Sequence, residues 1–134
     1  MTEAAPLVLL CSPDLLLAVR VEASAVALGY RLRSAASPAE AVAVVAAETP
    51  AAAVVDLAAP GLQPSKMIAA LRNRDTTLYV LGFFPHVRRE LGAAARQAGC
   101  SLVVPRSRFM AELPTLLWQA VESGAVATAE SGES

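Results

Sequence analysis

Residues 51–61 read Ala51-Ala52-Ala53-Val54-Val55-Asp56-Leu57-Ala58-Ala59-Pro60-Gly61. Pro50 and Pro60 bound the run, β-branched Val54 and Val55 close its apolar part, and one aspartate ends it. A short apolar stretch between such breakers predicts a strand buried on both faces. Asp56 then falls at the C-terminal end of that strand, where open α/β sheets place their binding crevices. After the Pro60-Gly61 turn, a helix is expected from Pro64 to about Asn73, with Met67, Ile68 and Leu71 inward.

Upstream, Leu7-Val8-Leu9-Leu10-Cys11 is a second continuous apolar run and predicts a buried parallel strand. Ser12 suits an N-cap, Pro13 the first helical position and Asp14 the first turn, so a helix is expected over about 13–28. Leu15, Val19, Ala23 and Val26 recur at helical spacing, and Gly29 stops the helix. Residues 30–35, Tyr30-Arg31-Leu32-Arg33-Ser34-Ala35, alternate with period two, as a strand near the sheet edge does. Ser37-Pro38-Ala39-Glu40 is a capping box with proline at the first helical position, which opens a helix running to about Glu48.

Downstream, Leu78-Tyr79-Val80-Leu81-Gly82-Phe83 predicts a fourth strand. A helix over about 87–98 follows, with Val87, Leu91, Ala94 and Ala98 inward and Gly99 at its end. Residues 101–105 predict a fifth strand, and a last helix lies within about 108–123, with Pro114 marking its first turn. Residues 1–5 read as a frayed terminus and residues 124–134 as a disordered tail, which leaves one domain over residues 1–123. Five alternations of strand and helix predict a doubly wound parallel sheet, a flavodoxin-like (βα)5 fold with strand order 2-1-3-4-5.

The 134-residue chain is 55% hydrophobic, 17% charged and carries a formal net charge of −1, and about a fifth of it is alanine. That balance suits one domain with a sizeable core and argues against nucleic acid as the main partner. Cys11 and Cys100 lack metal-ligand spacing and are too few for a disulfide framework, so reduced thiols in a cytoplasmic protein are expected. No apolar stretch approaches the length of a membrane span, and the N-terminus lacks a basic signal-peptide region. The single histidine, His86, reads as a loop residue rather than a metal ligand.

The element order, the strand-three aspartate, Pro60-Gly61 after it and Ala98-Gly99-Cys100 before strand five make residues 6–122 resemble a receiver domain of two-component response regulators. The resemblance implies a phosphoryl group accepted on Asp56 with Mg²⁺ beside it. The matching positions depart from that pattern. Two acidic residues end strand one in the family, and Cys11 and Ser12 stand there. A threonine or serine hydroxyl ends strand four in the family, and Gly82 is aligned with it. The aromatic switch residue of strand five aligns with Val103, and the Lys-Pro pair with Arg106-Ser107.

The chain therefore reads as an atypical or pseudo-receiver, a phosphorylation-independent signalling or protein-interaction module in a bacterial cytoplasm. It is not expected to be an enzyme or to hold a metal or cofactor. Two alternatives stand beside this reading: an authentic response regulator phosphorylated at Asp56, and a small phosphocarrier or phosphatase using Cys11. Cys11 is followed by Ser12-Pro13-Asp14-Leu15, a poor phosphate cradle because proline lacks an amide donor and Asp14 repels the anion. Asp56 itself has two readings. It is either an ordinary strand-end carboxylate bonded to nearby amides, or the partner of Arg106, reached across the space that Gly82 leaves.

The interaction surface is expected on the helix after strand four, on strand five and on the last helix. Arg88, Arg89, Arg96 and Arg108 supply positive charge there, and Trp118 lies off the inward stripe of Leu113, Leu116, Leu117 and Ala120. The expected partner is an acidic protein or a second copy of the chain, with no nucleic acid and no membrane.

Overall fold

The computed structural model describes the backbone of residues 5–133 and the side chains of residues 5–124. Residues 1–4 of the expected frayed terminus, and Ser134 of the expected tail, lie outside the described residues. Five strands form one parallel sheet: β1 (Leu7–Cys11), β2 (Arg31–Ala35), β3 (Ala52–Asp56), β4 (Tyr79–Phe84) and β5 (Leu102–Pro105). Their order is β2-β1-β3-β4-β5. β1 and β3 are buried at every residue, whereas edge strand β2 is half exposed. Buried parallel strands need covering on both faces, and helices supply it.

On one face lie α2 (Pro38–Glu48), α3 (Pro64–Arg74) and α4 (Arg89–Ala98). Ala41, Val44, Met67, Ile68, Leu71 and Ala95 pack there on Leu9, Val55 and Val80. The other face carries α1 (Leu15–Ala27), α5 (Arg106–Ala111) and α6 (Leu113–Glu133), with Leu17, Val21, Phe109, Leu116, Leu117 and Ala120 packed on Val8, Leu10, Val54 and Leu81. The capping box forms: Ser37 Oγ accepts from the Glu40 amide at 3.2 Å, and Glu40 Oε2 accepts from the Ala36 amide at 2.7 Å.

Several local expectations are corrected. The N-cap of α1 is Asp14 rather than Ser12, and its Oδ1 accepts from the Leu16 and Leu17 amides. The buried side of α1 is Leu17, Val21 and Ala25, whereas Leu15, Val19 and Val26 are exposed. This helix is apolar on two opposite sides, so periodicity alone does not choose between them. α4 begins at Arg89. Gly92 and Ala95 are its buried residues, while Val87 and Ala94 face solvent.

The last helix is broken at Glu112 into α5 and α6, with Pro114 in the first turn of α6, where its missing amide costs no hydrogen bond. The backbone of α6 runs past Gly124 to Glu133, where the sequence reading places a tail. The alanines between Ala125 and Ala129 are the strongest helix formers and account for the continuation. Among the described residues, no helix is long and apolar enough to cross a membrane.

Candidate functional site

β1, β3 and β4 end side by side at one edge of the sheet, and their last residues form the site. β1 hands over to Ser12, β3 ends in Asp56, and Asp56 is level with Phe83 of β4. Ser12 and Asp56 are the only buried polar side chains among the described residues, and Asp56 is 8% exposed. They meet directly: Ser12 Oγ donates to Asp56 Oδ2 at 2.9 Å. The Ala58 amide donates to Asp56 Oδ1 at 3.2 Å, as in an Asx turn. Ser12 Oγ in turn accepts from the Asp14 amide at 3.1 Å. A buried carboxyl needs such partners, and both of its oxygens have one.

Arg106 does not reach Asp56. Its Nη2 lies 3.5 Å from Asp14 Oδ2, and its guanidinium sits 5.6 Å from the Phe83 ring centroid. Phe83 is fixed by stacking on Phe109, with centroids 4.6 Å apart and planes 8° from parallel. The expected Asp56–Arg106 pair is therefore replaced by Asp56–Ser12 beneath and Asp14–Arg106 above. The physical reason is desolvation. Asp14 and Arg106 are both partly exposed, so their charges stay hydrated, whereas an arginine brought down to buried Asp56 would lose its water.

Gly82 leaves no room. A Cβ built there lies 3.0 Å from both Cys100 Sγ and Leu57 Cδ1. The space is filled by Leu57, the residue after the aspartate. None of Gly82, Phe83 and Phe84 at the end of β4 carries a hydroxyl. Val103 is buried beside Gly92 of α4 and places no aromatic ring at the switch position.

Cys11 is fully buried, and burial pushes its thiol from 9.0 up to about 12. Cys100 is also pushed up to about 12 by burial, against the downward pull of Arg72 and Arg96. Neither thiol is free to act as a thiolate near neutral pH.

The groups present do not fit Mg²⁺. That ion takes near-octahedral oxygen ligands and is usually anchored by one or two carboxylates. Among the described residues Asp56 is the one buried carboxyl, Ser12 offers a neutral oxygen, and Asp14 is committed to the helix cap and Arg106. Among the described residues, no three His, Cys, Asp or Glu side chains cluster as metal ligands.

The basic surface is thinner than the sequence suggests. Arg88 Nε pairs with Glu90 at 2.6 Å, and that hydrogen bond holds the Glu90 carboxyl below its ordinary value. Arg108 pairs with Glu112 at 3.3 Å. Arg89 and Arg96 stay exposed on α4 without an ion pair among the described residues. His86 is an exposed loop residue. Trp118 stands exposed on α6, over a groove shared with Leu28, Pro114 and Thr115.

Sequence reasoning named Asp14 but missed its role, and it missed Arg72 altogether. Asp14 carries the cap and the rim ion pair, and its signal was the acidic residue directly ahead of an apolar run. Arg72 joins α3 to the chain around β4 and β5. Its guanidinium donates to the carbonyls of Leu78, Thr76 (3.1 Å) and Gly99 (2.8 Å) and to Ser101 Oγ (3.3 Å). No sequence pattern marks that long-range staple.

No family model matches the chain, and no curated protein matches it. Solved structures do match. The CheY-like receiver domain protein from Methanospirillum hungatei JF-1 superposes with a TM-score of 0.80 at 13% identity, covering 90% of this chain and 97% of that one. The signal receiver domain of an HD domain-containing protein from Pseudomonas fluorescens Pf-5 gives 0.83 at 17% identity, covering 96% of each. NtrX from Brucella abortus gives 0.82 at 15% identity; the match covers 97% of this chain but 30% of that much longer one. The fold is that of CheY-like receivers.

Proposed function

We propose that this chain is a pseudo-receiver, a receiver-fold module that works through protein contacts without taking phosphate on Asp56. One observation carries the reading: the hydroxyl of Ser12 stands where the fold family keeps an acid, and it donates to Asp56. Phosphoryl transfer relies on positioning and on cationic stabilisation of the transferring group. Around Asp56 the nearest donors are a hydroxyl and an amide, and Arg106 is spent on Asp14. Leu57 occupies the space over Gly82.

The output of such a module is a docking event, and Arg89 and Arg96 on α4, which make no ion pair among the described residues, offer positive charge to an acidic protein partner. The Cys11 alternative gains nothing from a buried thiol pushed up to about 12.

The test is intact mass after incubation with a small phosphodonor and Mg²⁺. The expected result is no adduct. A gain of about 80 Da, one phosphoryl group, that disappears in Asp56→Asn overturns the proposal and favours an authentic response regulator. An adduct that disappears in Cys11→Ser favours the phosphocarrier.

A further inference from the structure

Six large apolar side chains are exposed among the described residues, and five lie on α1 and α6. They are Leu15 (81%), Leu16 (82%), Val19 (67%) and Val26 (64%) on α1, and Trp118 (52%) on α6. The two helices share one face of the sheet, and Leu28 at the end of α1 lines a groove with Trp118. Their combined exposed area is on the order of 600 Å², the upper end of what monomeric proteins show and most of the ~800 Å² per partner of a standard interface.

The pattern identifies the occupant. Leu16, Val19, Ala23 and Val26 are spaced 3-4-3 on the exposed side of α1, the spacing of a heptad seam. A seam of that kind is covered by another helix. Arg20 and Glu22 border it on opposite edges, and neither makes an ion pair among the described residues. When two copies meet with a two-fold axis running along the helices, the Arg20 edge of one faces the Glu22 edge of the other, twice over. The antiparallel arrangement sets like charge against like. The face is thus complementary to itself, and its charges balance, so it lacks the one-sided field that would attract a strongly charged partner.

We infer that the α1 seam, extended by Trp118, is the interface of a parallel two-fold homodimer of this chain. The seam contains neither Asp56 nor Arg89 and Arg96, so the mass test of the proposed function and the association test of the dimer can fail separately.

Sedimentation equilibrium of the full chain across micromolar to millimolar concentration tests it. The expected result is a mass rising from 13.9 kDa toward twice that value. Leu16→Glu and Val19→Glu should hold the chain monomeric, and at concentrations too low for the parent chain to associate they should leave the thermal midpoint unchanged, since both side chains face water in the monomer. Arg20→Glu should weaken association about tenfold, as two exposed pairs become like-charge contacts, and the swap Arg20→Glu with Glu22→Arg should restore it. A chain that stays monomeric at every concentration overturns the inference. So does a dimer that ignores Leu16→Glu and is lost in Arg89→Glu with Arg96→Glu, or a monomer that uses this seam only for a different helical protein.

Discussion

Gly82→Ala is a one-carbon test of why the pocket holds no hydroxyl. The added Cβ would sit 3.0 Å from Cys100 Sγ and from Leu57 Cδ1, and 3.2 Å from Leu57 Cδ2. Ordinary contacts lie at roughly 3.5–4.0 Å, so three atoms must move by about half an ångström. Leu57 is buried and Cys100 packs against the same core, so neither yields freely. Overpacking of this kind costs about 1–3 kcal/mol. Against it stands a gain of about 0.4–1 kcal/mol, because alanine has less freedom to lose than glycine. At mid-range the clash wins, and the net loss is about 1.3 kcal/mol. For a chain of this size that lowers the thermal midpoint by about 2–8 °C.

The decisive assay is a double-mutant cycle by urea unfolding. Leu57→Ala alone should cost about 2–5 kcal/mol through the cavity it leaves. Combined with Gly82→Ala, the new methyl group enters that cavity, and the double variant should be more stable than the sum of the single losses by at least about 0.5 kcal/mol, the size of the usual additivity error. If Gly82→Ala leaves stability unchanged, or the two losses add, Leu57 is not what fills the position. A Gly82→Thr variant would then be able to place the fold family's hydroxyl there.

Two further outcomes follow from the same structure. Both thiols are pushed from 9.0 to about 12, so a thiol reagent at pH 8 should label the unfolded chain and leave the native one unlabelled. Folding holds both groups protonated in a range where the unfolded chain releases the proton. That stability is complete below about pH 9 and is lost as pH rises toward 12, by up to about 1.4 kcal/mol per pH unit for Cys11 and less for partly exposed Cys100. A thermal midpoint that stays flat from pH 9 to 11 would contradict the burial. Arg72→Ala removes donors to Leu78, Thr76, Gly99 and Ser101 and should cost about 2–3 kcal/mol in urea unfolding, with Arg72→Lys recovering only part, because an ammonium cannot fork across both loops. A loss below about 0.5 kcal/mol would reduce the staple to a surface contact.

The sheet was legible because its signals are local. Proline and glycine punctuate the apolar runs, Ser37 and Glu40 close a capping box around the start of α2, and the continuity of β1 and β3 against the alternation of β2 yields the strand order. Asp56 at the end of β3 follows from the same reading. What failed depended on three-dimensional choice. Leu15 through Val19 offer α1 two apolar sides, and the sequence does not say which meets the sheet. The destination of Arg106 depends on which carboxylate can stay hydrated while pairing, a question of depth that spacing does not encode. The backbone of α6 continues to Glu133 through small and polar residues that read as a tail in sequence, alanine being the best helix former.

These corrections bear on one another. Moving the cap from Ser12 to Asp14 frees the Ser12 hydroxyl to turn inward to Asp56, and the same step puts Asp14 at the rim where Arg106 can reach it. The buried carboxyl is then held by neutral donors, and the cation remains near water, so each charge avoids the larger desolvation cost. Helix α1 starts at this cap and, in the phase it adopts, turns Leu17 and Val21 to the sheet and Leu16 and Val19 to solvent. The pocket and the exposed seam therefore share one short segment, residues 12–19. A loss of the Ser12–Asp56 bond should be felt at the start of α1 before anywhere else. Amide exchange at Leu16 and Leu17, whose amides are held by Asp14, is the place to look: Ser12→Ala should speed their exchange relative to Ala25, and equal rates in both variants would show that the pocket and the seam are uncoupled.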